Sequence, residues 1–135
     1  MARKKLGFGT GKRKTAIAKA RVKAGYGKVT VNSINLEAIR PILAREIIRE
    51  PLVVLGDEAK NLNIKVKVSG GGIMGQAQAA RLAIARAIVD YFGTKKIKKL
   101  FMKYDRSMLI ADVRKTEPQK PYRSAARRQR QTSKR

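Results

Sequence analysis

Asn63-Ile64-Lys65-Val66-Lys67-Val68-Ser69-Gly70-Gly71-Gly72-Ile73-Met74-Gly75-Gln76, running on to Phe92, is the stretch whose reading decides the fold. Ile64, Val66 and Val68 alternate with Lys65 and Lys67, the period of a strand with one buried and one wet face. Three glycines end that strand. Over residues 74–92 the period changes to that of a helix, with Ala77, Ala80, Ile84, Ala87, Ile88 and Tyr91 in one apolar stripe and Gly93 as the stop. So many alanines predict close approach of this helix to a sheet.

Working outward, Ala16, Ala18, Ala20 and Val22 alternate with Lys19, Arg21 and Lys23, and residues 28–32 alternate again. With Gly25-Tyr26-Gly27 between them, the two runs predict a hairpin. Residues 36–50 carry Ile39, Leu43, Ile47 and Ile48 at helical spacing, but Pro41 predicts short helical pieces instead of one rod. Residues 51–56 fit helix or strand equally. Ile97, Leu100, Phe101 and Tyr104 mark a second amphipathic helix with lysines on its other faces, and residues 107–113 read as a final strand. The expected architecture is an α+β two-layer domain, a mixed sheet packed by the alanine-rich helix. Three parts follow: a basic N-terminal arm at 1–14, a globular domain at 15–113 and an extended basic tail at 114–135.

Charge narrows the function. Lys and Arg total 33 against 9 Asp and Glu, a formal net charge of +24. Self-repulsion of that size opposes a compact state and suits a chain that meets dense negative charge. Val113 to the end holds nine basic residues against one acid, Glu117, with almost no apolar side chains. Such a segment buries too little to offset its own ordering entropy and becomes ordered on a polyanion. An apolar run of the roughly 20 residues needed to span a bilayer is missing, and neither a signal peptide nor a lipidation signal is read at the ends. The chain has no Cys and no His. Disulfides, thiolate or imidazole metal sites, Cys nucleophiles and His general bases are therefore excluded, and no cofactor or enzymatic role is expected.

Two glycine-rich segments invite phosphate chemistry. Gly9-Thr10-Gly11-Lys12-Arg13-Lys14-Thr15 fails the Walker pattern twice, with Leu6 in place of its first glycine and Arg13 in place of its Ser or Thr. A basic turn entering a strand and a nucleic-acid backbone contact through Lys12, Arg13 and Lys14 both remain open. Gly70, Gly72 and Gly75 match Gly-x-Gly-x-x-Gly, but the acid that would hold a ribose is missing, since Asp90 falls inside the predicted helix. Tight strand-to-helix packing and RNA phosphate contact both fit Gly70, Gly71 and Gly72. Lys19, Arg21, Lys23, Lys65 and Lys67 read as a solvated strand face or as a polyanion surface. The lysines between Lys95 and Lys103 are equally open. Three Phe, four Tyr and no Trp argue against a stacking platform for single strands and for backbone recognition of folded RNA. Patterns for a helix-turn-helix or zinc finger are absent.

Four segments in order resemble one family, the ninth protein of the small ribosomal subunit (numbered sixteen in older eukaryotic nomenclature). They are Gly11 through Ala20, Gly70 through Ala77, Ala80 through Ala87, and the terminal Ser133-Lys134-Arg135 behind an arginine-rich tail. Glu50-Pro51-Leu52, Tyr104-Asp105-Arg106 and Leu109-Ile110-Ala111-Asp112 resemble its archaeal and eukaryotic branch. The resemblance implies a structural, cytoplasmic protein of the subunit head, bound to small-subunit rRNA beside other head proteins, with no membrane or small-molecule partner. It implies a fold similar to the second domain of the fifth small-subunit protein and to a family of small-molecule kinases, including a left-handed crossover against the usual rule. It also implies a tail that threads to the decoding region and touches peptidyl-site tRNA through Ser133, Lys134 and Arg135. The rRNA-binding set is then Lys12, Arg13, Lys14, Gly70, Gly71, Gly72, Arg114, Lys115, Lys120, Arg123, Arg127, Arg128 and Arg130. Thr132 stands where many members carry an aromatic, a departure that bears on stacking and not on charge. Two rivals remain: an architectural DNA-binding protein using the same basic arms, and a small phosphotransferase built on Gly70–Gly75 with Asp57 and Glu58 holding Mg²⁺.

Overall fold

The computed structural model describes residues 5–130 and Ser133. A five-stranded mixed sheet is covered on one face by helices. The strands are β1 (Leu6–Arg13), β2 (Ala16–Ala24), β3 (Val29–Val31), β4 (Ile34–Asn35) and β5 (Leu62–Ser69). They lie in the order β1-β2-β5-β3-β4, with β3 parallel to β5 and the other pairs antiparallel. The helices are α1 (Ile42–Leu55), α2 (Ile73–Phe92) and α3 (Lys95–Tyr104).

One register sorts the two faces of the sheet. Across β2 and β5, Ala18 opposes Val68, Ala20 opposes Val66 and Val22 opposes Ile64, all buried under the helices. The intervening pairs, Lys19 with Lys67 and Arg21 with Lys65, face solvent. Strand β5 and helices α2 and α3 form where the periodicity predicts them. Helix α2 ends at Gly93, which adopts φ +64 and donates its N–H to the Val89 carbonyl.

Residues 6–13, expected within a flexible arm, form strand β1 instead. Gly7, Gly9 and Gly11 all face α2. A Cβ on Gly7 would come within 2.6 Å of Tyr91 Cβ, and one on Gly11 within 2.7 Å of the Ala83 amide nitrogen. Two strand residues advance about 6.8 Å and four helix residues about 6 Å. The alternate glycines therefore keep step with Ala79, Ala83 and Ala87 along the helix. The glycines that suggested flexibility are there because the helix backbone leaves no room for a side chain.

The predicted hairpin of β2 with β3 does not form; β5 lies between them, and the true hairpin is β1 with β2. The bend at Gly25–Gly27 is pinned to the start of β5 and the turn before it, with Gly25 N–H donating to the Asn61 carbonyl and the Tyr26 and Lys28 amides donating to Asn63 Oδ1. The chain thus steps across the end of β5 and pairs on its far side. Asn32 and Ser33 both have positive φ in the two-residue β3–β4 turn, the conformation such hairpins require. The Asn32 side chain extends the ladder by accepting from Val68 N–H and donating to Val68 C=O.

Pro41 breaks the next segment as expected, with a 3₁₀ turn at Leu36–Ala38 before it and α1 after it. Residues 51–55 resolve as helix, with Pro51 buried inside α1 and Gly56 ending it. The final strand predicted at 107–113 is absent. A 3₁₀ turn, Arg106–Met108, buries Met108 instead, and Arg86 Nε donates to the Leu109 carbonyl. The outer edge of β1 is not open to another strand at these points. Asp90 accepts from Phe8 N–H and Arg86 Nη1 donates to the Thr10 carbonyl. Side chains of α2 thereby satisfy backbone groups that would otherwise invite a further strand.

Gly9→Ala should lower stability by about 1–3 kcal/mol, the range for overpacking a close contact. Gly72→Ala, at φ −94 with nothing within 4 Å of its Cβ position, should leave stability unchanged or slightly raised. Urea unfolding of both variants checks this, and equal losses would refute the close-approach account of β1.

Candidate nucleic-acid interface

At one end of the sheet the fold brings together segments far apart in sequence. The β1–β2 turn consists of Lys14 and Thr15, with Lys14 at φ +53. A basic side chain thus occupies a left-handed position that favours glycine. Directly beneath it lies the glycine loop. Gly70 and Gly71 have φ +76 and +67, and a Cβ on Gly70 would sit 2.6 Å from the Thr15 carbonyl oxygen. Left-handed geometry and this close approach together account for both glycines. Gln76 Nε2 donates to the Gly70 carbonyl, closing the loop over the first turn of α2. That turn has Gly72 at its cap, no side-chain capping bond and no acidic residue. Its free amides and helix dipole therefore favour an anion. Lys12 and Lys14 are exposed beside it.

The root of the tail reaches the same end. Asp112 pairs with Arg13 at the end of β1 and with Arg114 in the tail, where Nη2 lies 2.7 Å from Oδ2. The Arg114 side chain and amide, with Arg13 adding to them, hold the Asp112 carboxyl well below the usual carboxylate range. Beside this clasp, Arg81 joins Glu50 at 2.6 Å and Asp105 at 2.9 Å. The Arg81 hydrogen bond, aided by the Ser107 amide, lowers the Asp105 pKa. The Tyr104 hydroxyl is raised by its hydrogen bond to Glu50. Arg13, expected as a contact residue, is thus largely enclosed and committed to anchoring the tail, whereas Lys12 and Lys14 remain free of acidic partners among the described residues.

Residues 109–130 contain no helix or strand. They are not fully extended either. Glu117 accepts from Arg127 and Lys120, and the Gln119 amide donates to the Arg123 and Ser124 carbonyls. Arg128 donates to the Ser124 hydroxyl, and the Arg130 guanidinium lies 5.0 Å over the Tyr122 ring. Arg114, Lys115, Lys120, Arg123, Arg127, Arg128 and Arg130 are all solvent-exposed. Ser133 is exposed as well; Lys134 and Arg135 lie outside the described residues.

The sheet's open face forms a concavity of about 1110 Å³, lined by Lys19, Arg21, Lys23, Lys28, Lys65 and Lys67 among others. Sequence alternation identified five of these cations. Lys28 was missed because it precedes β3 and joins the face through long-range bonds to β5, its amide donating to Asn63 Oδ1 and its carbonyl accepting from Ile64 N–H. The acids proposed for a phosphotransferase, Asp57 and Glu58, lie in the 3₁₀ turn before β5. The glycine loop lies past the other end of this eight-residue strand, about 26 Å away, so these acids do not serve it.

A compact α+β domain with one helix-covered face, one cationic sheet face and a basic tail is an architecture suited to a polyanion-binding structural protein. The family model described as ribosomal protein S9/S16 matches residues 11–135. Small ribosomal subunit protein uS9 of Desulfurococcus amylolyticus is 49% identical over 129 residues, covering 96% of this chain and 92% of that protein. The uS9 of Thermoplasma acidophilum is 48% identical over 124 residues, covering 92% and 96%. The chain belongs to the ribosomal protein S9/S16 family, whose members are structural and not enzymes. Among the described residues no helix is long and apolar enough to cross a membrane.

The lowered pKa values give acid sensitivity a definite sign. As pH falls, the unfolded chain takes up protons at Asp105 and Asp112 before the folded chain does. Their contribution to stability is intact above the ordinary Asp pKa of about 3.9 and is lost as pH drops below it. Asp105→Asn should cost about 1 kcal/mol or less at pH 7, since the pair is partly solvent-screened, and should shrink the difference between pH 7 and pH 3. Urea midpoints at the two pH values check this; an unchanged difference would count against the Arg81 pairing.

Proposed function

We propose that this protein is a structural component of the small ribosomal subunit. It binds small-subunit rRNA in the head, beside neighbouring head proteins in the cytoplasmic ribosome, and touches peptidyl-site tRNA with its C-terminal residues. The observation that carries this reading is the convergence at one end of the sheet. The basic β1–β2 turn, the Gly70–Gly72 loop, the uncapped start of α2 and the tail root at Arg114 all meet there. Backbone amides, a helix dipole and Lys12 and Lys14 can hold phosphates together. Arg13 contributes by fixing the turn and the tail root in one orientation.

Lys115, Lys120, Arg123, Arg127, Arg128 and Arg130 replace condensed counterions along rRNA and neutralise phosphates that repel one another as the RNA compacts. Glu117 occupies Arg127 and Lys120 in the free chain, so phosphate binding exchanges one internal anion for several external ones. Released from that turn, residues 113–135 could span roughly 75–83 Å when fully extended. Ser133, Lys134 and Arg135 are assigned to tRNA. Arg135 supplies bidentate phosphate recognition and Lys134 a point charge.

Deleting residues 133–135 should leave thermal stability and subunit incorporation unchanged while weakening retention of peptidyl-site tRNA. Filter binding of tRNA to reconstituted subunits over a range of salt checks this, and tRNA held as firmly as by the parent would overturn the assignment. Ribonuclease should release the protein from its native particle and deoxyribonuclease should not. The opposite pattern would favour the DNA-binding alternative.

A further inference from the structure

We propose that the open face of the sheet is a second RNA-docking surface, shaped for the backbone of an A-form duplex, adjoining the turn-and-loop end at Ile17 and Ser69 and distinct from the tail. The observation that carries it is a like-charge register. Lys19 stands directly opposite Lys67 and Arg21 directly opposite Lys65. Like charges facing each other across two strands destabilise the pair. The lining of this trough contains no acidic residue to relieve them. Arg13, Arg49 and Arg81 elsewhere on the domain have carboxylate partners, and the lysines of α3, unpaired among the described residues, do not face one another across a strand register. A face left this repulsive is stabilised when an external polyanion lies on it.

The same face indicates which polyanion. Cations along β2 repeat about every 6.8 Å, and the row on β5 runs beside them at about 4.8 Å, a double track for a continuous phosphate backbone. The trough lining has no aromatic side chain, and Phe8, exposed on β1 opposite Arg21, is a lone ring at its flank and not a row of them. Sequence-tolerant binding of single strands relies on such rings. Thr30, Ser33 and Ser69 place hydroxyls at its margins, where they can bond to the 2′-hydroxyls that an A-form minor groove displays. The occupant is therefore double-helical RNA, held by its backbone and distinguished from DNA by its sugar.

This inference rests on the RNA-binding reading above, and the two fail in different ways. The experiment uses the full chain carrying Arg127→Gln, Arg128→Gln and Arg130→Gln to quieten the tail, with and without Lys19→Gln, Arg21→Gln, Lys65→Gln and Lys67→Gln. Probes are a blunt RNA duplex, a DNA duplex and a single-stranded RNA of equal length. Each is titrated across salt, with amine-reactivity footprinting of Lys65 and Lys67. The fourfold sheet variant should reduce the salt-dependence slope for duplex RNA by about three to four, and its thermal midpoint should stay level or rise. In the parent, duplex RNA should protect Lys65 and Lys67. An unchanged slope with both lysines unprotected would overturn the sheet-face proposal while leaving the general reading intact. Tighter binding of single strands, or equal binding of DNA, would overturn the duplex assignment. Loss of all RNA binding in the unmodified full chain would overturn both readings.

Discussion

Gly7, Gly9 and Gly11 on β1 lie against Ala79, Ala83, Ala87 and Tyr91 on α2, and this approach of two backbones without intervening side chains governs the rest of the molecule. Because β1 is held there, the β1–β2 turn projects Lys14 beyond the start of α2. Because α2 lies flat along β1 and β2, its Arg86 and Asp90 reach around the sheet edge and occupy Thr10 and Phe8. A bulkier strand would lift the helix and lose the capped edge, the buried alanines and the alignment of turn with loop together. The glycines carry an entropic cost, offset by an interface in which Ala79, Ala80, Ala83 and Ala87 are fully buried.

Where a segment's own periodicity determined its environment, the sequence was legible. Alternation located β2 and β5, and the helical stripe located α2 and α3, because each side-chain pattern meets one continuous core. Strand β1 was not legible for the opposite reason: its buried positions are glycines, which leave no hydrophobic signal. The cue that could have found it was relational, a Gly-x-Gly-x-Gly run matching alanines spaced by four in another segment. Strand order was equally hidden. Asn61 and Asn63 redirect the chain at Gly25–Gly27, and polar contacts across more than thirty residues leave no periodic trace. In place of the predicted last strand, a 3₁₀ turn buries Met108 and Arg86 takes the Leu109 carbonyl.

The candidate site divided along the same line. Glycine and lysine identities marked Lys12, Lys14 and Gly70–Gly72 as phosphate-compatible, since the chemistry resides in the residues themselves. Their adjacency came only from the fold, which sets the Gly70 loop under the Thr15 carbonyl. Arg13 read as one more exposed cation; its pairing with Asp112, 99 residues later, turns it into the anchor of the tail. The tail's composition conveyed its charge but not its compact turn, which depends on the single acid Glu117 and the amide of Gln119.

The placement of the few acids links stability to binding. Of nine carboxylates, Glu37 and Glu46 hold Arg49, Glu50 and Asp105 hold Arg81, and Asp112 holds Arg13. Asp90 caps the β1 edge, and Glu117 gathers the tail. These positions either fix the helical side and edge of the domain or shape the tail; none lines the open sheet face. An even distribution of the same acids would lower self-repulsion and make the isolated chain more stable. It would also place negative charge on the face proposed above for a phosphate backbone. The observed arrangement keeps the scaffold rigid where the core needs it and leaves cations without carboxylate partners, among the described residues, on the open sheet face, on α3 and at the β1–β2 turn. Folding therefore tolerates the excess charge, and association with a polyanion relieves it.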